Sequence, residues 1–275
     1  MTSGPSPPRL AFGLNAGPRP WLAELGVALE ELGYDELWSN HVRAASGLET
    51  LAAVARATRR LRLAVGVVPL SESAPRDVAS LVLASGLSPD RLTVGVGSGS
   101  ERSLDAVRDG VAELRGLLPG FAIGLAAVGP RMAALGGEVA DVVLLNWIGP
   151  RLAAERRGVV LAAARAVRRD APRVAAYVRV AVGPGAEARL TTAQARYAGR
   201  GDSYRLVIRE QESRGEAPVG IAGTDPGGVA DALAGYWSGL DTVVVRGLPA
   251  DDALESWLAV ARAAAPAARG ARPAV

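Results

Sequence analysis

Cysteine is missing altogether from the 275 residues, which removes a disulfide framework, a thiolate zinc site and a cysteine nucleophile together. Lysine is missing too. All 31 basic side chains are arginine, beside abundant alanine and glycine, a bias of the kind that high-GC coding produces. Histidine occurs once, at His41, and one imidazole without cysteine does not make a catalytic zinc site. No Ser/His/Asp order with a nucleophile elbow is present, so metal-free chemistry is expected. Long apolar runs are lacking as well: those at 63–70 and 142–145 fall far short of the roughly 20 residues that span a bilayer, and no membrane association is expected. Residues 1–8 carry Ser, Gly and Pro rather than a basic, apolar secretory sequence, and read as a loose leader to a cytoplasmic protein.

The formal charge of +3 and pI near 9.8 raise the question of nucleic acid, but the arginines are spread along the chain and alternate with acids. That is the pattern of a solvated surface, and the expected partner is a small molecule rather than nucleic acid.

With 49% hydrophobic residues the chain can bury a large core. Short β-branched runs recur, each followed by a longer Ala/Leu/Arg segment with helical spacing, the rhythm of βα units around a parallel sheet. Strands are predicted at 10–15, 36–40, 62–68, 92–97, 121–127, 141–145, 173–181 and 242–245. Helices are predicted at 21–32, 48–59, 76–83, 104–118, 131–139, 151–169 and 251–264. Pro75 and Pro130 stand where a first helical turn tolerates a missing amide, and Gly33 stands just past a helix end. Eight units favour a single α/β barrel, the (β/α)8 TIM fold, over an open doubly wound sheet. The domain is expected to cover 9–264, with a fraying tail at 265–275 and an insertion at 183–239 between the seventh and eighth strands.

In such a barrel the site forms at the C-terminal ends of the strands. Those positions hold Asn15, then Asn40 and His41, then Gly97-Ser98-Gly99-Ser100-Glu101, then Val128-Gly129-Pro130-Arg131, then Asn146 and Trp147. The Gly97–Ser100 turn leads from a strand into a helix, where close backbone approach and a helix N-terminus suit a phosphate; a plain tight turn accounts for the same residues. Gly129-Pro130-Arg131 is a second turn of this kind, with Arg131 either contacting a phosphate or lying in solvent. His41 is a candidate acid, base or donor, and Trp147 a candidate border for a flat ring.

Gly129-Pro130-Arg131-Met132, followed by Leu135-Gly136-Gly137-Glu138-Val139-Ala140-Asp141 and then residues 142–147, closely resembles a signature of the luciferase-like monooxygenases. The match is to their coenzyme F420-dependent branch, especially relatives of methylenetetrahydromethanopterin reductase. Leu32-Gly33-Tyr34-Asp35-Glu36-Leu37-Trp38, Arg91-Leu92-Thr93-Val94-Gly95-Val96-Gly97, Ala222-Gly223-Thr224-Asp225-Pro226 and Gly239-Leu240-Asp241-Thr242-Val243 agree in order.

The resemblance implies a barrel that holds coenzyme F420 at the strand C-termini, its phosphate near the two glycine turns, and a non-prolyl cis peptide at Gly66-Val67 backing the cofactor ring. It also implies hydride transfer to or from a small organic substrate. His41 and Asn40 would polarise or protonate that substrate, and Asn15 and Glu101 would line the same mouth. A homodimer is expected by analogy. The sequence departs from the reductase pattern at Asn15, Asn40 and Ser100, where acids are usual, so the pterin reaction does not carry over. Competing readings are an FMN-dependent monooxygenase on the same barrel and a catalytically degenerate flavin-binding barrel.

Overall fold

The computed structural model describes residues 8–42, 46–100, 103–223 and 226–270. Among the described residues nine parallel strands are present: β1 (Arg9–Leu14), β2 (Glu36–Ser39), β3 (Arg62–Pro69), β4 (Leu92–Gly97), β5 (Ala122–Ala127), β6 (Val142–Asn146), β7 (Arg173–Val182), β8 (Ile221–Gly223) and β9 (Thr242–Gly247). Pairing runs β1 to β7 in order, β7 with β9 and β9 with β1, closing an eight-stranded barrel. The short β8 pairs only with Val180–Val182 at the end of β7, outside the ring. The closed (β/α)8 barrel is the one expected from the sequence, with β8 as an unforeseen addition in the insertion.

Around the barrel lie α1 (Leu22–Glu31), α2 (Gly47–Ala55), α3 (Pro75–Ala84), α4 (Leu104–Leu117), α5 (Pro130–Val139), α6 (Pro150–Ala166) and α10 (Leu254–Gly270). The insertion adds α7 (Ala186–Ala198), α8 (Asp202–Glu212) and α9 (Pro226–Ala234). Prolines stand in the first turn of α3, α5 and α6, where the missing amide has no intrahelical acceptor to lose. Two helices differ from expectation. α2 stops at Ala55, and the Arg91 guanidinium collects the carbonyls of Ala55, Thr58 and Leu61 beyond it. α10 continues through Gly270, past the point where fraying was expected. No helix among the described residues is long and apolar enough to cross a membrane.

Successive strand residues alternate between two cores. On β1, Leu10, Phe12 and Leu14 face the helices, while Ala11 joins Trp38, Ala64, Val142, Leu144, Ala175, Tyr177 and Val244 inside the barrel. Gly13 lies on the inner side in tight quarters, where a Cβ would stand 3.2 Å from Arg246, Tyr177 and Val244 side-chain atoms.

The N-terminal end of the barrel is closed by Glu36. Its carboxylate accepts from Arg9 and Arg173 at 2.7 Å each and from the Trp38 indole at 2.9 Å. Around the same rim Asp35, Asp141 and Asp241 each accept the amide of a neighbouring strand, from Leu10, Ile123 and Val174 respectively. The opposite, C-terminal end is left open for chemistry.

Candidate functional site

Two adjoining cavities occupy the C-terminal end of the barrel. The central one, about 510 Å³, sits within the range of small-molecule sites. Gly66 and Val67 line it, and the bond between them is cis, as the resemblance implies. The β3–β4 register shifts between Val65 and Val68, so this short stretch leaves the ladder and faces the cavity. Gly66 has no room for a side chain: a Cβ would lie 2.6 Å from the Tyr177 hydroxyl and 2.7 Å from the Trp38 ring. Gly97 is constrained less severely, since a Cβ there would lie 2.9 Å from Val67 Cγ2.

Of the residues expected at the site, Asn40, His41, Gly66, Val67, Gly97, Ser98, Gly99, Val128, Gly129 and Asn146 line this central cavity. Asn15 lines the second cavity instead, where its side-chain oxygen accepts from Arg246. Glu101 lies outside the described residues.

Four expected residues do not line either cavity. Ser100 is exposed, and its amide is taken by the Ser71 hydroxyl at 3.0 Å. Pro130 and Arg131 are exposed in the first turn of α5, and it is Met132 from that turn that reaches the cavity. Trp147 has a left-handed backbone, φ 54, and its ring is buried with the Arg179 guanidinium 4.3 Å from its centroid. A cation, not a cofactor ring, covers that indole.

The sequence reading missed a cluster on the far wall. Tyr177 and Arg179 alternate on the inner side of β7, and Arg246 follows Val244 on the inner side of β9. Arg179 and Arg246 are 3% and 6% exposed. Arg246 donates to the Leu14 carbonyl and to Asn15, and its guanidinium stands 5.2 Å from the Tyr177 ring. Arg179 donates to Asn146 Oδ1 and to the Tyr177 carbonyl. Burial, then the neighbouring Arg246 charge, brings the Arg179 pKa down to about 10, which still leaves it cationic at neutral pH. A charged residue inside an apolar strand run was the available signal, since such a position in a barrel is inward and costly unless used.

The insertion completes this wall. Tyr197 from α7 stands with its ring 5.0 Å from Arg179 and 4.7 Å from Arg200, and Tyr204 from α8 accepts from Asn146 at 3.2 Å. Fully buried Gln211 locks α8 to the β6 turn, accepting from the Gly149 amide and donating to the Trp147 carbonyl.

On the near side, His41 carries a buried Nδ1 without a hydrogen-bond partner among the described residues. Burial lowers its pKa, against the opposing pull of Glu49 and Glu72, so the imidazole is neutral at pH 7. Asn40 is held in place through Oδ1, which accepts the Ala16 amide at 2.9 Å.

The glycine-lined floor and the start of α5 suit a flat ring carrying a phosphate. Gly129 has open space where a Cβ would stand, and α5 begins without a side-chain cap. The Gly97–Ser100 turn suits it less, because Ser103 caps α4 by accepting the Ala106 amide.

The model of the luciferase-like monooxygenase family matches residues 9–115 and 117–246. A 5,10-methylenetetrahydromethanopterin reductase of Methanolobus tindarius is 26% identical over 166 residues, 47% of this chain and 51% of that protein, so the match spans about half the relative's length. Among solved structures, an F420-dependent secondary alcohol dehydrogenase in complex with an F420–acetone adduct superposes with a TM-score of 0.73 at 14% identity, covering 96% of this chain and all of that one. The coenzyme F420-dependent tetrahydromethanopterin reductase of Methanopyrus kandleri gives 0.68 at 18%, covering 94% and 98%. EDTA monooxygenase from Chelativorans sp. BNC1 gives 0.67 at 15%, covering 98% and 95%. At these identities the likeness is one of fold, and it is the family match across nearly the whole barrel that decides: the chain belongs to the luciferase-like monooxygenase family.

Proposed function

We propose that this chain is an oxidoreductase that binds coenzyme F420 in the central cavity and transfers a hydride between it and a small organic substrate. The observation that carries the reading is the central cavity itself, floored by the Gly66–Val67 bond and bounded by Gly97 and Gly129, with open space where a Cβ would stand at Gly129. The family membership and the similarity to an F420-linked reductase support it. Bound there, the deazaflavin would supply the hydride chemistry.

The chain's own residues orient and exclude. Val67, Leu144 and Met132 give apolar contact, and Tyr177 and Asn146 add polar groups to the same wall. His41, neutral and lining the cavity, is placed to exchange a proton with a substrate oxygen as hydride moves. Asn40 positions the same edge through its bond to Ala16.

The test is a parallel titration of the purified protein with F420 and FMN, followed by tryptophan quenching. Selective binding of F420 is the expected result. Preference for FMN would replace the reading with a flavin monooxygenase, and binding of neither would leave a barrel without this cofactor.

A further inference from the structure

The second cavity, about 760 Å³, adjoins the central one and shares with it Asn40, Val42, Arg179, Tyr197, Arg200 and Arg246. Its lining is strongly one-signed. Six arginines (Arg19, Arg179, Arg189, Arg196, Arg200 and Arg246) face two acids, Asp251 and Asp252. Asp252 is already committed to Arg19, at 2.8 and 2.9 Å, and Asp251 accepts the Ala253 amide. Arg189 is spent on the carbonyls of Val182, Pro184 and Leu248.

Four guanidiniums then remain, and among the described residues no carboxylate pairs with any of them. Arg179 and Arg246 are nearly fully buried with only neutral partners: amide oxygens, carbonyls and aromatic faces. A buried cation without a counter-charge is costly, and aromatic faces return only about 1–2 kcal/mol each. Arg196 and Arg200 stand at helical spacing on the same wall, at the exposed end of α7. The rest of the lining includes Trp257, Leu248, Pro249 and Ala193, which suits a small apolar body rather than a second charge.

We propose that this cavity is the substrate site and that it takes an organic anion, a carboxylate held by Arg196, Arg200 and Arg246, with its apolar portion against Trp257. The inference rests on the reading that the central cavity holds the cofactor ring. The shared residues place the anion's neighbouring carbon towards that ring.

The experiment is calorimetric titration of the full-length protein with oxalate, succinate and benzoate, alone and after saturation with F420 or FMN. It is repeated on the Arg196→Ala/Arg200→Ala double variant, whose changes lie at exposed positions. The expected result is binding of at least one carboxylate by the wild type, retained when cofactor is bound, and weakened at least about tenfold in the variant. Failure of all three to bind, or binding indifferent to the two arginines, would overturn it. So would carboxylate binding lost on saturation with cofactor together with weakened cofactor binding by the variant, which would assign the arginines to the cofactor's own anionic tail. If neither cofactor binds while the arginine-dependent carboxylate site persists, the cofactor reading fails and the anion site stands.

Discussion

The Tyr177 hydroxyl donates to the Gly66 carbonyl at 2.7 Å, joining β7 to β3 across the interior of the barrel. Both partners are buried, and the Trp38 ring packs edge-on against Tyr177, 6.1 Å between centroids. The floor of the central cavity is therefore set from the opposite side of the barrel, by a phenol that reaches across and a glycine that leaves it space.

Changing either partner tests that arrangement. Gly66→Ala would press a methyl against the Tyr177 oxygen and the Trp38 ring, neither of which is a flexible chain end, at an expected cost of about 1–3 kcal/mol. Tyr177→Phe keeps the ring and strands the Gly66 carbonyl, for a similar loss of about 1–3 kcal/mol. Denaturant midpoints measure both. A Tyr177→Phe protein as stable as wild type would show that the bond does not hold the floor.

Glu36 governs the other end of the barrel. Burial pushes its carboxyl up, but the Arg173 and Arg9 guanidiniums and the Trp38 indole together hold it below the ordinary carboxylate range. Its folded pKa being the lower one, the stabilisation is present above the unfolded value and is lost as pH falls through the folded one. Glu36→Gln should cost about 3 kcal/mol near neutral pH, because two arginines lose their counter-ion. It should also flatten the acid limb of unfolding free energy against pH. An acid limb identical to wild type would assign that pH dependence to other carboxylates.

Much of this fold is legible in the sequence because buried parallel strands read as near-continuous Val/Leu runs. The motifs at Asp35, Asp141 and Asp241 gain a reason in the structure: each aspartate fastens its strand's start to a neighbour's amide. What was not legible follows from two causes. β8 has three residues, too few for any period to show, and exists only because β7 overruns the barrel to offer it an edge. Arg179 was passed over because it sits inside an apolar run that reads as plain strand, and its partners Tyr197 and Trp147 come from other elements; Arg246 directly follows the predicted 242–245 strand, but its partners Leu14, Asn15 and Tyr177 lie far away in sequence. Gly66–Val67 is the reverse case: nothing in periodicity marks it, and only family likeness pointed to its cis geometry.

His41 offers a clean measurement, since it is the one histidine in the chain. Its ring-proton resonances should titrate below the ordinary histidine value of about 6.5. Folding then favours the neutral ring, so stability falls as pH drops from that value through the folded pKa. Glu72→Gln removes a carboxylate that opposes the shift and should lower the midpoint further. A midpoint at or above the ordinary value would contradict the burial argument and favour a cationic role.

Tyr197 provides the last prediction, because the five tyrosines divide sharply. Burial raises Tyr34, Tyr236 and Tyr204, and pushes Tyr177 up to about 12 despite its two arginine neighbours. Tyr197 is raised by burial too, but Arg179, Arg246 and Arg200 outweigh that and lower it overall. An alkaline absorbance titration should therefore show one phenol ionising below the ordinary value of about 10 and four above it. Arg200→Ala, an exposed change, should move the early phenol upward, raise Tyr204 with it, and leave the other three in place. Five phenols rising together would mean that the guanidiniums do not act on Tyr197. A single early phenol that responds to Arg200 would put an acidified hydroxyl on the wall shared by the two cavities.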